Sequence, residues 1–317
     1  MNIENFGKGC VLQPTDERDI IYEEVMKTPL PFDWKKGFNI EKRLGIKLKV
    51  EHQNGSSSCV SQAFSKYLEV LEFIDSGNQT DLSAKDMYSR IFLPDGGAYL
   101  RDGAKLAVKR GVTRELTNPS YMNGTPPTEA FMRELIEGNE GEAIKFSSKS
   151  YASVTSRGGI DHIAQTIRDN NGVVTGVSGD NQGWGETVVK PPKYREWGHA
   201  IYLGRAEIIN GKKYIGLLNS WGEGVGDKGW QWLGEDYLDY MFDLWTLVDF
   251  INIINKTMKL IREKDRPETY AVVNGHNYYI GGPLTFEDFA KDNHVKWEEV
   301  KEVNEPIRCD GIIARGA

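Results

Sequence analysis

Three side chains in this sequence have the types needed to make and use an activated thiol: Cys59, His199 and Asn219. A cysteine supplies the nucleophile, a histidine takes and returns its proton, and an amide fixes the imidazole tautomer. An uncharged Asn suffices as the third member when the resting state is already a thiolate–imidazolium pair, and that pair is expected here. Taken singly, each residue has a plainer use. Cys59 could be a small buried hydrophobe, His199 a strand histidine and Asn219 a turn residue. The surroundings of Cys59 argue otherwise. The Gly55-Ser56-Ser57-Ser58 run before it is too polar for a core strand, and the residues after it predict a helix. A helix N-terminus stabilises a thiolate.

That helix is the clearest element in the chain. Val60, Ala63, Phe64, Tyr67, Leu68, Leu71 and Ile74 recur at three- and four-residue spacing, making one apolar stripe. Gly77 supplies its stop, and Ser57 or Ser58 is expected to cap its start. Further helices are predicted over 81–90, 100–110 and 160–170. After Gly172 the pattern changes to short β-type runs at Gly172–Val177, His199–Gly204, Lys213–Leu218 and Gly229–Leu233, with a hairpin signal at Asn210-Gly211. Helices first and strands second predict an α+β fold of two packed halves with a cleft between them. Cys59 then opens the central helix of one half, and His199 lies on a strand of the other.

At about 150 residues per domain, 317 residues suggest two domains. Residues 1–30, broken by Gly7, Gly9, Pro14 and Pro29, read as an extended arm. Residues 31–253 carry the chemistry. The charged stretch Lys256–Pro267 reads as a linker to a small α+β C-terminal domain over 256–317. That domain has a hairpin signal around Asn274-Gly275 and a short helix capped at Thr285. It is expected to bind a surface or another protein.

Several classes are excluded. A hydrophobic content of 39% and a charged content of 27% are ordinary for a globular chain. No apolar run is long enough to span a membrane. A net charge of −7 gives no support for nucleic-acid binding. The three cysteines, Cys10, Cys59 and Cys309, are no disulfide framework. His52, His162, His276 and His294 stand in no metal-type spacing, and no phosphate-binding loop is present, so no metal or cofactor is expected. The polar N-terminus lacks the pattern of a secretory signal peptide. Cytoplasmic residence, or release by lysis or with a particle, is the expectation.

The run Gln53-Asn54-Gly55-Ser56-Ser57-Ser58-Cys59-Val60-Ser61-Gln62-Ala63-Phe64 resembles the active-site signature of papain-like cysteine peptidases, which places a Gln six residues before the nucleophile. Gly198-His199-Ala200-Ile201 is similar to the histidine block of that family, Asn219-Ser220-Trp221-Gly222 to its asparagine block, and Gly226-Asp227-Lys228-Gly229-Trp230 to a run that follows. The intervals of 140 residues from Cys59 to His199 and 20 from His199 to Asn219 are those of a papain-like catalytic domain. The resemblance covers about residues 30–250.

It implies thiol-dependent hydrolysis of peptide bonds, with Cys59 attacking the carbonyl, His199 as its proton partner and Asn219 orienting His199. The Gln53 amide and the Cys59 N–H would form the oxyanion hole. Trp221 would shield the His199–Asn219 bond from water and, as a substrate-binding residue, form part of the leaving-group side. Gly96-Gly97 would head the strand whose backbone pairs with an extended protein or peptide substrate; the plainer reading is a surface turn.

There are departures. Ser56 stands where the family usually has a disulfide cysteine, and Val60 where it usually has Trp. No long helical pro-region precedes residue 30, so the arm 1–30 is expected to lie across or beside the cleft and modulate access. Its Asp16-Glu17-Arg18-Asp19-Ile20 run resembles bacterial and phage members. The C-terminal region is similar to small modules of microbial surface-layer-type proteins. Two other functions fit less well. Compact Cys-His cell-wall hydrolases place their Cys and His much closer in sequence. A binding module with a vestigial cleft would be expected to have lost a catalytic residue, and none is lost.

Overall fold

The computed structural model describes residues 3–25, 31–121, 127–155 and 158–248, together with five strands beyond residue 258. The chain divides into two compact units, Met1–Val248 and Asp249–Ala317. The described part of the arm therefore belongs to the first unit and forms no body of its own.

In chain order the first unit contains β1 (Cys10–Val11), α1 (Tyr22–Val25), β2 (Phe38–Asn39), α2 (Ile40–Leu44), α3 (Cys59–Ser76), α4 (Ala84–Ile91), β3 (Ala98–Tyr99) and α5 (Leu100–Lys109). Then come α6 (Glu129–Arg133), α7 (Glu140–Ala143), β4 (Ser150–Val154), α8 (Gly159–Asn170), β5 (Val173–Gly179) and β6 (Val188–Val189). The last are β7 (Trp197–Ile209), β8 (Lys212–Leu218), β9 (Trp230–Gly234) and β10 (Met241–Val248). The large sheet runs β4-β10-β5-β7-β8-β9-β6, with β2 added on β7. Its neighbours are antiparallel except for the β6–β9 pair.

The predicted stripe of α3 is its buried face. Val60, Phe64 and Tyr67 are fully buried, and the helix stops at Gly77, whose φ of 73° is left-handed and free of Cβ strain. Two features fix α3 between the halves. Gly103 of α5 brings that helix so close that a Cβ there would sit 2.6 Å from the Phe64 ring. On the sheet side the Tyr67 hydroxyl lies 2.7 Å from the Asn170 carbonyl and 2.8 Å from that of Gly172, at the entrance to β5. The first residue of α3 is thereby held against β7, which carries His199.

The expected serine cap is absent. Ser58 occupies the cap position but makes no capping bond; its hydroxyl lies 2.8 Å from that of Ser56. Ser56 donates to the Gln53 carbonyl at 2.7 Å, so the Ser58 hydroxyl donates to Ser56, and it accepts from the Gln62 side chain at 3.4 Å, not from a backbone N–H of the first turn.

The second unit is described only as strands: β11 (Lys259–Glu263), β12 (Thr269–Val273), β13 (His276–Ile280), β14 (Val300–Val303) and β15 (Gly311–Ile313). They form one sheet in the order β14-β11-β12-β13-β15. β11 overturns the reading of Lys256–Pro267 as a linker. Its apolar pair Leu260-Ile261 is flanked by charges, yet it lies between two partners, β12 and β14. β12 and β13 pair antiparallel as the hairpin signal predicts, while Asn274-Gly275 and the helix expected at Thr285 lie outside the described residues.

Candidate active site

Cys59 is the first residue of α3, and His199 lies near the start of β7. Asn219 directly follows β8, the hairpin partner of β7. All three are buried. His199 Nε2 is 3.0 Å from Asn219 Oδ1, which also accepts from the Ser220 N–H at 2.8 Å. An amide oxygen only accepts, so the His199 proton sits on Nε2. Nδ1 is left with its lone pair, buried and without a hydrogen-bond partner.

The imidazole is enclosed by aromatic rings. Trp221 stacks on it at 4.5 Å and 25°, and Trp184 meets it edge-on at 6.0 Å. Both tryptophans are fully buried and keep water from the His199–Asn219 bond. Trp184 carries no sequence signal, because it lies in a loop that the chain folds back over the site.

Gln53 is also buried. Its backbone N–H donates to the Ser220 carbonyl at 2.8 Å, and its Oε1 accepts from the Ser220 hydroxyl at 2.5 Å. The second bond turns the amide so that Nε2 faces the cleft. Behind it, the Glu51 carboxylate receives Lys66 of α3 at 3.1 Å and the Tyr121 hydroxyl at 2.5 Å, tying this segment to the Cys59 helix.

The arm fills the cleft. The Gly7 carbonyl accepts from Gln53 Nε2 at 3.0 Å and from the Trp221 indole at 3.2 Å, while the Gly7 N–H donates to the Asn54 carbonyl at 2.6 Å. Phe6 stacks on Trp221 at 5.4 Å. The Gly9 carbonyl accepts from the Ala98 N–H at 2.8 Å, and β1 then pairs parallel with β3. Gly96 and Gly97 form the turn that leads into β3, with φ of 95° and 77°. The arm thus takes the backbone pairing that the resemblance assigns to substrate. Its approach demands glycine: a Cβ on Gly7 would lie 1.7 Å from the Ser56 carbonyl oxygen, and one on Gly9 2.3 Å from that of Ser57.

Downstream, the arm is pinned by Gln13 to Asp243 at 3.2 Å, by the Asp19–Arg101 ion pair and by Glu23 to His162. His162 thus helps to hold the arm.

Burial shifts both groups of the pair towards their neutral forms. It pushes the Cys59 thiol up to about 11, a shift only partly offset by backbone N–H groups, those of Ala200 and Gly9 among them. It also lowers His199 to about 4, against the opposing effect of the Asn219 bond. In the covered site burial thus favours the neutral form of both groups over the expected ion pair.

Among the described residues, Glu51, Glu69 and Asp81 bring carboxylates close enough to hold a metal ion. Lys66 and Lys49 already pair with that cluster, Lys66 with Glu51 at 3.1 Å and Lys49 with Asp81 at 2.7 Å. No helix among the described residues is long and apolar enough to cross a membrane.

The architecture, helices on one side and a large mostly antiparallel sheet on the other with Cys59 between them, is the papain-like fold. The family profile described as papain family cysteine protease matches residues 28–239, and the chain belongs to that family. Among solved structures it is similar to xylellain, a cysteine protease from Xylella fastidiosa. Identity is 22%, coverage 77% of this chain and 96% of that one, and the TM-score 0.63. It is also similar to digestive procathepsin L2 from the larval midgut of Tenebrio molitor, at 16% identity, coverage of 77% and 79%, and a TM-score of 0.62. No curated protein matches by sequence. The protein is a cysteine peptidase that hydrolyses peptide bonds through a thiol. The matched segment leaves out the part of the arm that lies in the cleft and all of the second unit.

Proposed function

We propose that the chain cleaves peptide bonds by a Cys-His-Asn mechanism, and that its first residues form a displaceable plug over the site. Once the plug leaves, His199 Nδ1 takes the Cys59 proton. The thiolate adds to the substrate carbonyl carbon, and the oxyanion is met by the Gln53 amide and the Cys59 N–H. The C–N bond breaks as His199 returns its proton to the leaving amine. Water, deprotonated by His199, then cleaves the thioester, releasing the acid and the thiol. Asn219 holds the imidazole in one tautomer throughout.

The observation that carries this reading is the 3.0 Å contact from Gln53 Nε2 to the Gly7 carbonyl, in which a peptide carbonyl meets the donor proposed for the oxyanion. Digestion of a peptide library by the recombinant protein, read by mass spectrometry, is expected to give discrete cleavages that vanish with the thiol blocked. Cleavage that persists after blocking would contradict the mechanism.

Gln53→Ala is expected to lower kcat by about 10²-fold, the scale of one oxyanion donor. The same substitution loosens the plug, which competes with substrate, so the apparent KM should fall. An unchanged kcat would remove Gln53 from the oxyanion hole. An unchanged or raised KM would mean that plug and substrate do not compete for this amide.

The second unit is proposed to bind a surface or a larger partner. Deleting 249–317 is expected to leave small-peptide turnover intact, and loss of that turnover in a soluble truncation would give the unit a part in the cleft.

A further inference from the structure

One buried side chain touches the triad and has no part in the mechanism so far. Gln231 sits in β9, a strand buried along its whole length, and its own exposure is 0%. Both ends of its amide are committed. Nε2 donates to the Trp184 carbonyl at 2.7 Å and to the Glu186 carbonyl at 2.7 Å. Carbonyls only accept, so the NH₂ end of Gln231 must face them. Oε1 is thereby turned towards Asn219, whose Nδ2 donates to it at 2.8 Å. With its NH₂ so held, Asn219 presents Oδ1 to His199 Nε2 at 3.0 Å. The Ser220 N–H, 2.8 Å from the same Oδ1, enforces the same orientation. Every donor in this relay has an acceptor, and reversing any one amide would set donor against donor.

We infer that Gln231 is a positioning residue that fixes, through Asn219, which nitrogen of His199 carries the proton. The two backbone carbonyls start a chain of orientation that ends at His199 with the proton on Nε2 and the lone pair on Nδ1. A histidine with the opposite tautomer cannot take the thiol proton from that side. Gln231 also ties the Trp184 loop to the strand behind Asn219, which keeps the indole edge against the imidazole. The inference rests on His199 being the base and Asn219 its orienter.

The test uses the full chain. In ¹⁵N-histidine-labelled protein at pH 7, the ring nitrogens of His199, assigned by their loss in His199→Ala, are expected to report the Nε2–H tautomer. In Gln231→Met the chain of orientation is cut and the Asn219 NH₂ loses its acceptor. The His199 signal should then show both tautomers, with kcat lower by about 10-fold and KM within twofold. Gln231→Glu, held neutral by burial, keeps an O–H donor for the two carbonyls and an oxygen facing Asn219, and should restore the single tautomer and most of kcat.

A wild-type His199 protonated on Nδ1 overturns the inference, even if neither variant folds. So does full kcat in Gln231→Met, or an equal loss in both variants with the tautomer unchanged. Asn219→Ala separates the two levels of the argument. A large loss there with none in Gln231→Met sinks only the relay. Full activity in Asn219→Ala sinks the Cys-His-Asn reading, and the relay with it.

Discussion

Cys59→Ala is expected to lower kcat/KM by at least about 10⁵-fold, the scale seen when a covalent nucleophile is removed, while the protein stays folded. Cys59 is fully buried, but the atom lost is one sulfur beside the backbone of Gly9 and Ala200. The helix it opens is held elsewhere, by Phe64 against Gly103 and by Tyr67 against the carbonyls of Asn170 and Gly172. Peptide turnover and a thermal melt on the same sample check both halves. Turnover within 10-fold of wild type would exclude a covalent thiol mechanism.

Full-length protein carrying Gly7→Val and Gly9→Val is expected to gain kcat/KM by on the order of 10³-fold, with kcat unchanged. Each added Cβ would lie within 1.7 or 2.3 Å of a carbonyl oxygen of the Ser56-Ser57 wall. Neither glycine has a positive φ, so the penalty is steric and falls on the docked arm alone. Overpacking costs about 1–3 kcal/mol per site, which for two sites shifts the open fraction by the stated factor. Alkylation gives a second reading. With its thiol pushed up by burial, the covered Cys59 holds little thiolate at pH 7. Uncovering should therefore speed reaction with iodoacetamide. Unchanged turnover and unchanged alkylation in the double variant would mean that the arm is no plug.

The chemistry was legible where it depends on local pattern. The 3.6-residue stripe after Cys59, the polar run before it, and the blocks around His199 and Asn219 each declare themselves within a dozen residues. What stayed hidden depends on distant partners. Gly7 and Gly9 look like flexible breaks, and only the fold brings them against Ser56 and Ser57. Gln231, in Trp230-Gln231-Trp232, carries no signal of its own in the sequence. In the structure both faces are covered, and its amide is consumed inside. Lys259–Glu263 looked like linker because its charges outnumber its apolar pair, yet pairing on both sides makes it an interior strand. Part of what covers Cys59 is the Gly9 backbone fifty residues upstream, which no local rule anticipates.

The most direct measurement is covalent trapping with an epoxide peptide probe at pH 7, with the adduct mapped by mass spectrometry in wild type and in the Gly7→Val/Gly9→Val protein. One adduct is expected, on Cys59, forming slowly in the wild type and much faster in the double variant. None is expected in Cys59→Ala or when Cys59 is already alkylated. An adduct on Cys10 or Cys309, or none in the uncovered protein, would contradict the Cys59 mechanism.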